Sequence, residues 1–426
     1  MTKNAPEQPS GNKSAGHDQS ASAPAAGHGG NDGSGRTSGP TPTARFVISP
    51  RQSASIIAST IIGVGVLTLP RTSTELARES SWLSTVLGAC IAMVPMLLLS
   101  LLARMFPGKS IVRLGAELLS PARRLWVGST LILPVLSLLF IYWSIATGMV
   151  ARVFGEVVTA AVLQETPVEV IIGTMLLTAF ILVMHDIETV ARVNEILLPL
   201  IVVPILLISL SSYQSARLEN LFPLFAVDWM AILRSAVTSS TAYLGFEVFT
   251  LFMSHAEPSR ALVRANLTGI AIPGFIYTLI VVSGISVFGV EELKQLVWPT
   301  LELVKTTQMP GLVLERTESL FIGVWVTAVF TTVGTMYFAV TMMVKEMLGL
   351  RTHRWIALAM LPALYWVSLL PQNIESLFKW DSLTGYYGGL YLLAMPLLFW
   401  LIAMLRPSVR RRNRDAAANA GGKGRG

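Results

Sequence analysis

The chain has 426 residues, of which 52% are hydrophobic and only 13% are Asp, Glu, Lys or Arg, and its mean hydropathy is +0.60. So little charge cannot cover the surface of soluble domains of that length, and the composition specifies a polytopic membrane protein. The formal charge is +7, but the basic residues lie between long apolar runs and form no patch among aromatics. That pattern speaks against a nucleic-acid surface and makes anionic lipid their natural partner.

Residues 1–44 are rich in Gly, Ser, Ala, Pro and Thr and contain no apolar segment to bury, so they read as a disordered tail before the membrane. They hold no signal-peptide apolar stretch, and the first span therefore serves as the targeting signal. Uncharged stretches bounded by charges follow at 80–103, 125–151, 170–184, 196–216, 265–290, 319–344, 355–374 and 382–405. Most are long enough to cross about 30 Å of hydrocarbon as helices. Two further apolar segments carry helix-breaking or polar residues: 52–74, with Gly63, Gly65 and Pro70, and 231–254, with Ser239, Ser240, Gly245 and Glu247.

Counting both gives ten transmembrane helices, in which the two unusual segments are the first and the sixth. They occupy matching places if the chain is two halves of five, and an odd number of helices per half requires the halves to insert with opposite orientation. The expectation is an all-α polytopic fold with a five-plus-five inverted repeat, helices one and six being broken. The membrane domain covers 45–407 and a basic tail covers 408–426. Placing the amino terminus inside puts 23 of the 32 Lys and Arg residues on the inner side, so both termini are expected to be cytoplasmic. The longest outer connection, about 291–317, has room for one or two short helices limited by Pro299 and Pro310.

Two segments carry the chemistry. In span one, Gly63-Val64-Gly65 followed by Pro70 weakens the helix, so that backbone groups become available for a small carboxylate or a cation. A close-packed glycine contact or a simple kink accounts for the same residues. In span six, Ser239-Ser240-Thr241-Ala242-Tyr243-Leu244-Gly245-Phe246-Glu247 places a carboxylate among apolar neighbours, where it needs pairing, hydration or a proton. The alternative is that Glu247 reaches the interface or a basic partner. Tyr243 and Phe246 are candidates to line a pocket, and Tyr142, Trp143, Ser144 and Thr147 add polar surface to span three. Thr327, Thr331, Thr332 and Thr335 form a polar stripe on span eight, suited to a pathway or to interhelical hydrogen bonds. Of these, Tyr142, Ser144, Thr147, Thr331 and Thr335 are the candidate pathway residues.

His185, Asp186, Glu188, Arg192 and Glu195 read as a salt-bridged inner connector, with Asn194 and Glu195 near the start of span five. The Gly-x-Gly pair lies in a hydrophobic span and lacks the third glycine, the preceding strand and the acidic residue of a dinucleotide loop. No Ser-His-Asp, Cys-His, paired-carboxylate or phosphate-loop arrangement is present, and the single Cys90 and five scattered histidines outline no thiolate, disulfide or metal site. Neither an enzyme nor a cofactor is expected.

At Gly63 to Pro70, at Gly245 to Glu247 and in the connector Ala256-Glu257-Pro258-Ser259-Arg260-Ala261-Leu262, the chain resembles the spore-germination permease family. It is most similar to the B subunit of nutrient germinant receptors, a branch of the amino acid, polyamine and organocation transporter superfamily. The resemblance implies spans one and six unwound around a small-molecule site, with backbone groups from Gly63, Val64 and Gly65 facing a wall of Tyr243, Leu244, Gly245 and Phe246. Glu247 would be a ligand contact or a structural anchor. It further implies the inner membrane of a bacterial spore, a nutrient such as an amino acid, and companion A-type and C-type subunits. The reading that follows is a nutrient sensor. Its alternatives are an autonomous proton-coupled amino acid or organocation transporter and an assembly subunit that binds no ligand.

Overall fold

A computed structural model describes residues 47–120, 125–223, 228–306 and 317–406. The tail expected at 1–44, the basic tail at 408–426 and the middle of the long connection, 307–316, lie outside the described residues. In chain order the helices are α1 (Pro50–Ala77), α2 (Ser81–Met105), α3 (Ile111–Leu119), α4 (Leu125–Ala161), α5 (Val168–Val183) and α6 (Ile187–Ser211). Then come α7 (Trp229–Ser240), α8 (Phe249–Phe252), α9 (Arg260–Leu293), α10 (Pro299–Thr306), α11 (Thr317–Leu348), α12 (Arg354–Ser368) and α13 (Ile374–Leu405). The ten expected crossings correspond to α1, α2, α4, α5, α6, the α7–α8 segment, α9, α11, α12 and α13. Amphipathic α3 and short α10 connect crossings on opposite faces, α3 on the face where the chain enters and leaves, α10 on the other.

A helix is the only open-chain way to satisfy its own backbone in hydrocarbon, and the sequence supplies clean starts for several. Ser49 and Gln52 form a capping box ahead of Pro50, and Asn373 with Ser376 does the same for α13. On the outer helices large apolar residues point away from the protein at helical spacing, as Leu200, Val203, Leu207 and Leu210 do on α6. Helix α1 lies at the centre, packed against α9, α11, α6 and α7, with almost every residue from Ser53 to Leu67 buried.

Buried polar side chains tie these helices together. Asn266 on α9 donates to Ser100 of α2 at 2.9 Å and accepts from Ser53 of α1 at 2.6 Å. Asn194 joins Ser59 of α1 to Thr335 of α11, donating to Thr335 Oγ1 at 3.0 Å. Asn194 thus lies two turns inside α6, which begins earlier than the sequence suggests because Asp186 occupies its N-cap position. The charged connector forms as expected, with Arg192 on Glu188 at 2.6 Å and Arg51 on Glu195 at 3.1 Å.

Both central spans are interrupted, in different ways. In span six the helix stops at Ser240, one tight turn covers Thr241–Tyr243, and Gly245 adopts φ 122° before Phe246–Val248 and α8 resume. In span one the interruption is a gap in hydrogen bonding rather than an unwound segment. The helix runs through Gly63–Gly65, but Pro70 has no N–H for the carbonyl of Val66. The Thr300 hydroxyl on α10 donates to that carbonyl at 2.6 Å, so the connection crossing this face completes the helix.

At the entry face, Val47 and Ile48 both donate backbone N–H groups to the carbonyl of His255, at 3.0 and 3.1 Å, fastening the approach to α1 onto the connector between α8 and α9. Burial, then the charges of Lys345 on α11 and Arg113 on α3, hold the His255 imidazole below its ordinary value of 6.5. The folded protein therefore keeps His255 neutral where the unfolded chain takes up a proton. Stability from this group is complete above about pH 6.5 and is lost as pH falls from there through the depressed folded value. We expect the thermal midpoint in lipid nanodiscs to drop across that acidic window and His255→Gln to flatten the drop; an equal slope in the variant would assign the sensitivity to other groups.

Candidate functional site

The break in span six brings a carboxylate to the centre of the protein. Once helix hydrogen bonding stops at Ser240, the N–H of Gly245 has no helical acceptor, and in hydrocarbon an unmet N–H costs several kcal/mol. The Glu247 side chain turns back to accept it, at 2.7 Å. Its other oxygen accepts from the Tyr142 hydroxyl at 3.2 Å and from Trp143 Nε1 at 3.3 Å, both on α4. Glu247 is wholly buried, and no Lys, Arg or His pairs with it among the described residues. Three donors from two crossings surround one carboxylate, so span three and the break of span six are fastened through it. Neither an interfacial position nor a basic partner explains Glu247.

The glycines permit the close approach of the two central spans. A Cβ on Gly245 would stand 3.1 Å from the carbonyl oxygen of Thr60 in α1, in addition to the positive φ that disfavours any other residue. A Cβ on Gly65 would stand 2.8 Å from the Tyr277 hydroxyl and 3.0 Å from the carbonyl oxygen of Ala242, and one on Gly63 would stand 2.4 Å from Thr332 Oγ1. Close packing, the plainer account of the span-one glycines, is therefore part of their role.

The remaining expected residues divide into those at the junction of α1 with the break and those committed elsewhere. Val64, Gly65, Ala242 and Leu244 are half-buried around the junction of α1 with the break. Gly63 is buried, its carbonyl accepting from Trp325 Nε1 on α11 at 2.9 Å. Tyr243 points its hydroxyl at the carbonyl of Thr85 on α2, 2.9 Å away, and its ring lies 5.3 Å from that of Tyr277, so it anchors the break to α2 and α9. Phe246 is buried beside Glu247.

Tyr142 is at the carboxylate, while Thr147 returns its hydroxyl to the carbonyl of Trp143. Ser144 is buried, with no hydrogen-bond partner for its hydroxyl among the described residues. Thr331 and Thr332 both reach the carbonyl of Ser59 on α1, at 3.4 and 3.2 Å, while Thr335 is held by Asn194 of α6. Thr327 is half-buried and donates within its own helix, to the carbonyl of Gly323.

Sequence reasoning missed Tyr277 and Trp325. Tyr277 donates to the carbonyl of Ile61 at 2.7 Å, so these two aromatics, like Thr332, tie down α1 carbonyls along the candidate site. An aromatic with a polar tip in the middle of an apolar span was the available signal. Among the described residues no group of three or more His, Cys, Asp or Glu could hold a metal.

The sequence profile described as "Spore germination protein" matches residues 47–377, well over half of the chain. The chain belongs to the spore-germination permease family. Relatives include spore germination protein YndE of Bacillus subtilis (strain 168), 25% identical over 86% of this chain and 98% of its own length. Spore germination protein A2 of the same organism is 27% identical over 83% of this chain and 95% of its own.

Solved structures share the fold. MhsT in complex with L-phenylalanine aligns with a TM-score of 0.55 at 14% identity, covering 87% of this chain and 97% of that one. Mhp1, a nucleobase-cation-symport-1 family transporter in a closed conformation with bromovinylhydantoin bound, aligns with a TM-score of 0.55 at 13% identity, covering 88% and 99%. This family member therefore has the five-plus-five inverted repeat of an amino-acid and cation transporter fold, with spans one and six as its paired central helices.

The contact geometry gives a direct comparison of two glycines. Gly63→Ala forces Thr332 to move and should lower stability by about 1–3 kcal/mol. Gly323→Ala, at an exposed position of α11 with nothing within 4 Å, should be neutral or slightly stabilising through helix propensity. Thermal unfolding of the two variants in matched nanodiscs checks the difference, and equal midpoints would contradict the close contact at Gly63.

Proposed function

We propose that this chain is the nutrient-sensing membrane subunit of a spore germinant receptor. In this reading an amino-acid-like germinant enters the crevice between span one and the break of span six, near Val64, Gly65, Ala242 and Leu244, and shifts the equilibrium between two packings of the central spans. The observation that carries it is the Glu247 carboxylate bonded both to the Gly245 N–H within the break and to Tyr142 and Trp143 on α4. A ligand that takes over any of those donors, or supplies a cation to the carboxylate, changes how span three is tied to span six. Signalling requires differential affinity for the two packings; equal affinity for both would bind nutrient and report nothing.

Family membership and the wholly buried carboxylate support this reading, together with companion A-type and C-type subunits as receivers of the signal. The excess of Lys and Arg in the segments that lie inside when the amino terminus is taken as cytoplasmic supports cytoplasmic termini and contact with anionic lipid. The location that fits is the inner membrane of a spore. The kinship of the fold with transporters favours one other reading, an autonomous proton-coupled carrier of amino acids or organic cations.

Binding of the twenty standard L-amino acids, radiolabelled, to purified protein in nanodiscs tests the site. We expect saturable binding by at least one, weakened about tenfold or more by Glu247→Ala and much less by Glu302→Ala on α10, since a buried hydrogen-bonded carboxylate holds more of the local geometry than a solvated one. Equal affinity in the two variants would remove Glu247 from the site. Accumulation of the bound amino acid in proteoliposomes containing this chain alone would replace sensing by transport.

A further inference from the structure

One carboxylate has no part in the account so far. Asp381 stands in the first turns of α13, on the α10 face of the protein, and its orientation follows from its neighbours along the helix. Phe378 lies beneath the Arg71 guanidinium of α1, 5.3 Å from its ring centroid, and beside Trp298 at 5.6 Å. A Cβ on Gly385 would stand 3.2 Å from Thr241 in the break of span six, and one on Gly388 would stand 2.2 Å from the Tyr142 ring. Residues 378, 381, 385 and 388 are spaced by three, four and three, which places them on one helical face. Asp381 therefore points into the same sector, towards α1, the break and Tyr142.

Although it faces inward, Asp381 is solvent-accessible. It forms no ion pair among the described residues: Lys379 is taken by Glu375 at 2.7 Å, and Arg71 by Glu75 at 3.5 Å. The half-buried residues of α1 run from its level down to the break as Thr72, Arg71, Thr68, Gly65 and Val64. An unpaired carboxylate with exposed surface thus stands at the α10 end of the seam between α13, α1 and the break, with Tyr142 and its partner Glu247 further along that seam. Electrostatics there favours a positively charged guest and disfavours an anion.

We propose that Asp381 docks the ammonium group of the ligand, which restricts the guests of this site to amines: zwitterionic amino acids or organic cations, and not carboxylates that lack an amine. This rests on the proposed ligand site between spans one and six and adds the group that selects among ligands. The test uses the tightest-binding amino acid of the panel, its N-acetyl derivative, which lacks the ammonium, and the corresponding decarboxylated amine, in nanodiscs containing wild-type, Asp381→Asn or Asp381→Glu protein. Asp381→Asn should weaken the amino acid and the amine by about tenfold and be largely rescued by Asp381→Glu, while the N-acetyl derivative, which the wild-type protein should bind at least about tenfold more weakly than the amino acid, should lose nothing further in Asp381→Asn. Wild-type binding that Asp381→Asn leaves intact, or a loss equal for all three compounds, overturns the assignment of Asp381 alone. Failure of the wild-type protein to bind any member of the panel overturns the ligand site with it.

Discussion

A polypeptide in hydrocarbon has no water to satisfy its backbone, and every interruption of a helix must be met by another part of the protein. That constraint organises the centre of this molecule. The loss of helical bonding at Gly245 draws in the Glu247 carboxylate, and the carboxylate draws in Tyr142 and Trp143 from α4. The missing N–H of Pro70 draws in Thr300 from α10. Each local defect in a helix becomes a tie to an element distant in sequence, so the weak points of the secondary structure are the joints of the tertiary structure.

The same arrangement fits the proposed role of the site as a switch. Spans one and six approach closely at Gly245 and Gly65, with the backbone of each packed against that of the other. Carbonyls of α1 between Ser59 and Val66 are held by Thr331, Thr332, Tyr277, Trp325 and Thr300 from α9, α10 and α11. Closely packed interfaces of this kind have few intermediate arrangements, and a small ligand has leverage where two packings differ by the exchange of a few hydrogen bonds. At the entry face, the fastening of Val47 and Ile48 to His255 links the approach to α1 with the connector that follows the break.

The crossings and the two unusual spans could be read from the chain because apolar length and the placement of Gly, Pro and Glu are local properties. Glu247 stands out in any hydropathy pattern as a charge within an apolar run, and the glycines of span one mark a place where backbones approach. The form of the interruption could not be read. Gly63, Gly65 and Pro70 permit either an unwound segment or a helix with one missing bond, and the choice depends on Tyr277, Trp325 and Thr300, more than two hundred residues away in sequence. Asn194 reads as a helix start for the same reason: its partners Ser59 and Thr335 lie on other crossings.

By itself the sequence determined the membrane class, the ten crossings, the pairing of spans one and six, and the presence of a carboxylate in span six, because each follows from hydrophobic run length and from residues that break or charge a run. Only the tertiary structure decided that Glu247 is bonded to the break and to α4, that Tyr243 is an anchor on α2, and that the face of α13 carrying Asp381 is turned towards the break. Those outcomes depend on which helix faces which, and a helix of apolar residues carries too little pattern to announce its neighbours: in lipid both its protein-facing and its lipid-facing sides are apolar.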